Sequence, residues 1–187
     1  IGFLARKVDL GIDLRLAPYA QVIPQLLAPT SELRACKSGR VVAVRLNDLA
    51  GPECSLADAA AEFARAVHAA DDGAPTLVLL CPGPAGADGA AVEALWKAFA
   101  GHASIKAIDA REAFAEYGVR EPFDPRADAA AHIPYTEEAF AALAAAIVRW
   151  RALKGRAPVK LIAVDGDNTL WDGVLGEDGP EGLGLGL

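Results

Sequence analysis

Thr76-Leu77-Val78-Leu79-Leu80 is the stretch on which the fold turns. It is short, uncharged and apolar on both alternating faces, which reads as a strand buried from both sides in the middle of a parallel sheet. Cys81-Pro82-Gly83-Pro84 closes it in a rigid loop. Before it, Leu56, Ala59, Ala60, Phe63 and Val67 recur at helical spacing behind the N-cap candidate Ser55, predicting a helix over 56–70. After it, Val92, Leu95, Trp96 and Phe99 predict a helix over 90–100. Residues 41–46 and 105–108 read as flanking strands, 12–16 as an earlier strand of alternating pattern, and 110–117 as a further helix. Strand and helix therefore alternate from 12 to 108. That order predicts an α/β fold: a three-layer α/β/α domain with a mostly parallel sheet and right-handed crossovers.

The flanks extend this plan. Ile1, Leu4 and Val8 have helical spacing over 1–10, with Gly11 suited to the C-cap. Residues 19–27 read as a helix that Pro24 kinks or starts, and 29–39 as a loop or the unpaired remnant of a helix. Residues 123–128 read as a polar loop. Thr136 is an N-cap candidate, followed by a long helix whose inward stripe is Phe140, Leu143, Ala144, Ile147 and Val148. Residues 155–158 read as a linker into a second apolar strand, 161–164, and the closing Gly-Leu alternation as low in complexity.

Composition narrows the class. The chain has 187 residues, 53% hydrophobic and 23% charged, which suits one good core and a fragment of a second domain. A net charge of −7 argues against nucleic acid and anionic membrane as partners. Cys36, Cys54 and Cys81 lack metal-ligand spacing, and their odd number does not suggest a disulfide framework, so a reducing cytoplasm fits. No apolar run approaches transmembrane length, and no signal peptide is visible. With no Met, the chain reads as a piece of a larger polypeptide, cut at both ends.

The most chemical stretch is 160–179, Lys-Leu-Ile-Ala-Val-Asp-Gly-Asp-Asn-Thr-Leu-Trp-Asp-Gly-Val-Leu-Gly-Glu-Asp-Gly. On a strand Asp165 and Asp167 would share one face, at the carboxyl end where open α/β sheets bind ligands. Two close carboxylates repel unless a cation or a shared proton relieves them. A hard cation such as Mg2+ takes few carboxylates and keeps room for phosphate oxygens, leaving one Asp as a nucleophile. The bland alternative is a strand-to-turn junction whose Asp and Asn cap a following helix.

The string Asp-x-Asp-x-Thr resembles motif one of the haloacid dehalogenase superfamily. Its extension, Asp-Asn-Thr-Leu-Trp-x-Gly-Val-x-Gly-Glu-Asp-Gly, resembles the FkbH-like proteins of polyketide and nonribosomal peptide assembly lines. The resemblance continues in Ala-Pro-Tyr-Ala-Gln-Val-Ile-Pro-Gln-Leu-Leu, in Asp-Pro-x-x-Asp and in His-Ile-Pro-Tyr-Thr. It implies an SGNH-like (flavodoxin-like) N-terminal domain, residues 1–154. The first strand and flap of a haloacid-dehalogenase-like Rossmannoid domain would follow at 158–187. It also implies Asp165 as phosphoryl-accepting nucleophile and Mg2+ ligand, Asp167 as general acid/base and second metal ligand, and Thr169 as support for the turn. The implied partners are an acyl carrier protein with its phosphopantetheine arm and neighbouring synthase domains. The sequence departs from the family in two ways. The superfamily's later motifs have no counterpart here, and Gly166 stands where glyceryl-transferring relatives usually carry Cys.

A second candidate site lies in the N-terminal part. Asn47-Asp48 after a strand resembles a block of SGNH hydrolases in which Asn donates to an oxyanion, with Arg45 in the usual Gly position; a plain loop is the alternative. Asp128 and His132 sit where those hydrolases carry catalytic Asp and His, at a spacing one residue too long, and a structural histidine is the alternative. The implied nucleophilic Ser would precede Ile1. His68 reads as a surface or core histidine rather than a ligand, Cys81 as a buried, inert thiol although it sits at a strand's carboxyl end, and Tyr19 and Gln21 as turn and helix packing, with a site role as the alternative. Three functions stay open: Mg2+-dependent handling of a phosphorylated three-carbon acid with glyceryl loading onto a carrier protein, a non-catalytic docking scaffold, and a plain phosphatase or phosphotransferase.

Overall fold

The computed structural model describes residues 1–7, 11–50, 54–83, 88–154, 161, 163–182 and 184. The chain divides into two compact units, Ile1–Lys154 and Gly155–Leu187.

In the first unit α1 (Gly2–Lys7), α2 (Val22–Leu27) and α3 (Glu32–Ala35) precede β1 (Arg40–Arg45) and the short α4 (Leu46–Leu49). Then come α5 (Leu56–Ala70), β2 (Thr76–Cys81), α6 (Gly89–Phe99), β3 (Ile105–Asp109), α7 (Ala110–Glu116), α8 (Pro125–Ala131) and α9 (Glu137–Leu153). The strands form a parallel sheet in the order β1-β2-β3, with Arg40 opposite Thr76 and Thr76 opposite Ile105. As its composition requires, β2 is the middle strand and is buried along its whole length. Both crossovers, through α5 and α6, step in the same direction, so right-handed connections put both helices on one face. One apolar cluster accordingly joins Val42, Val44, Val78 and Leu80 to Leu26, Phe63, Val67, Leu95 and Phe99. The alternate β2 side chains Leu77, Leu79 and Cys81 belong to another cluster, with Phe114, Tyr135, Ala139, Leu143 and Trp150 from α7, α9 and the segment before α9.

Several expectations are corrected. Residues 12–16 form no strand; Leu14 and Leu16 are 50% and 82% exposed, because alternation makes a strand only where a neighbour completes its ladder. The 29–39 loop contains α3, whose Ser31 side chain accepts from Arg34 N at 3.1 Å. The β1 strand stops at Arg45, and Leu46 opens α4. The polar loop over 123–128 leads into α8, because Asp124 caps Arg126 N and Ala127 N and Pro125 takes the first helical position. On α9, Thr136 caps Ala139 N as expected, but Phe140 is 42% exposed while Ala139, Ala142 and Trp150 are buried. The linker at 155–158 and the Pro84 end of the β2 loop lie outside the described residues.

The second unit is built of turns, isolated bridges and the short α10 (Leu175–Asp178). The expected buried strand over 161–164 is not seen at its described residues, 161, 163 and 164. Leu161 is 82% and Val164 52% exposed, since no neighbouring strand pairs with them among the described residues of this unit. Gly184, in the Gly-Leu alternation, nevertheless bonds back to Asp172 through both backbone groups, at 2.7 and 2.9 Å.

Candidate functional site

The carboxyl end of the sheet gathers polar side chains from distant parts of the sequence. Arg45, the last residue of β1, directs Nε to both oxygens of Asp48 at 2.9 Å. Its Nη1 and Nη2 donate to the two oxygens of Asp128 on α8, at 2.8 and 3.3 Å. The guanidinium fork suits two carboxylates at once, so one side chain ties the strand end to both helices that follow it in space. The Arg45 donors hold the Asp128 carboxyl below the ordinary carboxylate range.

Between these groups lies a cavity of about 420 Å³ walled by Arg45, Asp48, Asp128, His132, Phe123 and Pro134, among others. The segment that closes it is pinned at its base. Phe123 and Tyr135 form an antiparallel bridge, and the Tyr135 hydroxyl donates to Pro82 O at 2.6 Å beneath the β2 loop. His132 ends α8 in the left-handed conformation, φ 53° and ψ 40°, with its N–H on Asp128 O at 2.9 Å. The structure thus brings Asp128 and His132 to one cavity. Asn47 stands apart from it and leans on the β2 loop, where a Cβ on Gly83 would lie 3.1 Å from Asn47 Oδ1.

A second polar group sits at the ends of β2 and β3. Asp88 precedes α6 but does not cap it; its buried carboxylate accepts from Gly83 N at 3.4 Å and pairs with Arg111. Arg111 also bonds Asp109 at 3.0 Å. Cys81 is buried in this region, and burial pushes its thiol up to about 12, so it is protonated and inert at neutral pH. Sequence reasoning missed the roles of Arg45, Asp48, Asp88 and Arg111. The spacing of Arg45 and Asp48 was a local signal; nothing local announced a partner for Arg45 at position 128.

Asp165 and Asp167 are arranged differently from the expected strand face. Asp165 is exposed, and no side-chain hydrogen bond engages it among the described residues. Gly166 O accepts from Thr169 N, Leu170 N and Trp171 N at 3.2, 2.9 and 3.4 Å, with Asn168 left-handed at φ 53°. This tight turn folds Trp171 back over Gly166. The indole Nε1 then donates to Asp167 Oδ1 at 3.1 Å, and Leu175 N donates to the same oxygen at 3.1 Å. Thr169 contributes its backbone N–H to the turn.

The donor set at this turn is carboxylate oxygen, the kind a hard cation takes. Among the described residues no third His, Cys, Asp or Glu joins it, so a cation held by Asp165 and Asp167 would fill its shell with water and phosphate oxygens. Among the described residues, too, no helix is long and apolar enough to cross a membrane.

The chain matches no family model, no curated protein and no solved structure.

Proposed function

We propose that this chain is an FkbH-like segment of a polyketide or nonribosomal peptide assembly line. In this reading residues 1–154 are a three-layer, SGNH-like domain and residues 158–187 open a haloacid-dehalogenase-like one. The observation that carries it is the run Asp165 to Gly179, in which two carboxylates flank the Gly166 start of one tight turn and one of them, Asp165, makes no side-chain hydrogen bond among the described residues. Mg2+, held by Asp165 and Asp167, would supply charge neutralisation for a phosphate. The residues' own work is then divided. Asp165, with no side-chain hydrogen bond among the described residues, is the group placed to bind or attack phosphorus, and Asp167, held at Oδ1, has one oxygen left, which serves the cation or, when the cation rests on Asp165, proton transfer. The substrate class is a phosphorylated three-carbon acid. On transfer, the phosphopantetheine thiol of an acyl carrier protein attacks the acyl carbon, the C–S bond forms, the C–O bond to phosphate breaks, and the thiol proton passes to Asp167.

The test is intact-mass analysis of a holo carrier protein after incubation with the chain, Mg2+ and an acyl phosphate of a three-carbon acid. A glyceryl-sized gain that Asp165→Ala abolishes supports transfer. Carrier binding without a gain leaves the docking scaffold.

Gly166 favours a second reading. A Cβ there would lie 2.5 Å from Trp171 Cζ2 and 2.6 Å from Cη2, so the position between the two Asp residues has no room for a side chain while the indole stays in place. A Mg2+-dependent phosphatase or phosphotransferase needs the Asp pair and no thiol at that position. Phosphate release without any mass gain on the carrier would decide for it.

A further inference from the structure

We propose that Trp171 is a positioning residue for the Asp165–Asp167 pair, and that position 166 is glycine because the indole occupies the space of its Cβ. The inference rests on the phosphate-site reading above. Two independent contacts carry it, one polar and one steric. The indole N–H bonds Asp167 Oδ1 at 3.1 Å, and the far edge of the same ring lies where a Gly166 Cβ would be, at 2.5 and 2.6 Å. The backbone explains how both arise together. Three N–H groups converge on Gly166 O, and that turn returns residue 171 to residue 166.

The consequence is an asymmetric pair. With Leu175 N also on Oδ1, Asp167 has one oxygen committed to two donors, whereas Asp165 has neither oxygen committed among the described side-chain bonds. An aspartate that must turn freely loses rotamer freedom when it binds a ligand; one already held by an indole has lost it beforehand. Trp171 thus makes Asp167 the fixed member of the pair, while no side-chain bond among the described residues fixes Asp165. Any side chain at 166 must push the ring aside, and the ring carries the Asp167 bond with it. Gly166 and Trp171 therefore act as one unit.

The experiment uses the full chain labelled with 15N. Trp96, Trp150 and Trp171 give separate indole N–H resonances, and Trp171→Phe assigns the one of interest. In Asp167→Ala and in Gly166→Ala that resonance should move and exchange faster with solvent. Mg2+, titrated alone and with inorganic phosphate, should bind severalfold more weakly to Trp171→Phe and to Gly166→Ala. The double variant should be no worse than either single one, because both lose the same bond. An indole resonance unmoved by Asp167→Ala overturns the proposal. So does Mg2+ affinity unchanged in Trp171→Phe and Gly166→Ala, with the phosphate-site reading left standing. A wild-type chain that binds no Mg2+ under either condition overturns that reading and this role with it.

Discussion

Arg40 and Arg45 bound the same strand, β1, and meet opposite surroundings. Arg40 is 3% exposed, and its donors are spent on Cys36 O, Ala70 O, Arg34 O and Asp72 at 2.8, 3.2, 2.9 and 2.9 Å. Three of those acceptors are backbone carbonyls at the ends of helices and loops, so this guanidinium closes the amino end of the sheet. Arg45 has two carboxylates for partners and borders a cavity. Carbonyl acceptors that nothing else satisfies make an arginine structural; carboxylates that water can also satisfy leave one available for other work. The same strand thus has an amino end closed by a buried arginine and a carboxyl end that borders a cavity, the end at which open parallel sheets generally bind ligands.

The largest expected effect tests the first half of that contrast. Arg40→Met should cost about 3 kcal/mol, because it removes the donors of three buried or part-buried carbonyls, and a urea midpoint shift reads it. An unchanged midpoint would erase the distinction between the two ends. Next comes acid. The Arg40 and Lys37 donors hold the Asp72 carboxyl well below the usual range. A folded-state pKa below the unfolded one gives stability that is present above about pH 4 and lost as pH falls through the folded value. Thermal melts of Asp72→Asn should therefore show a flatter acid limb than the parent, and equal limbs would refute the pairing.

At the other end, Arg45→Lys should leave the fold intact but loosen α8. That helix buries no side chain, and lysine cannot make the two-pronged bond to Asp128. Amide exchange over residues 126–132 should quicken severalfold while β2 stays protected; unchanged exchange would mean that the Phe123–Tyr135 bridge alone holds the segment. The smallest effect is chemical. Cys81 faces Arg45 across the ladder, yet burial keeps its thiol protonated. Iodoacetamide should label the half-exposed Cys36 and Cys54 in the native chain and reach Cys81 only after unfolding.

The same division separates what the residues announced from what they did not. Helix α5 matches its apolar stripe and its cap at Ser55, whose hydroxyl accepts from Asp58 N at 3.1 Å. Strand β2 matches its uncharged run. Both are decided within a few residues, by periodicity and by one capping bond. The strands expected from the alternation at 12–16 and the apolar run at 161–164 are not seen among the described residues, because a strand's stability lies in its neighbours. Helix α8 was missed because its Ala-rich body has no apolar stripe, and only Asp124-Pro125 marked its start.

By itself the sequence determined the α/β alternation, the central place of β2, the caps at Ser55 and Thr136, and the presence of a carboxylate on either side of Gly166. Tertiary structure alone decided that Arg45 meets Asp128, that Tyr135 bonds Pro82, and that Asp88 turns from its own helix to Arg111. It also decided the closeness of Trp171 to Gly166, since only the turn brings the ring back. Periodicity and capping act over one or two turns of chain. An ion pair across 83 positions exists only once the sheet has set both ends in place.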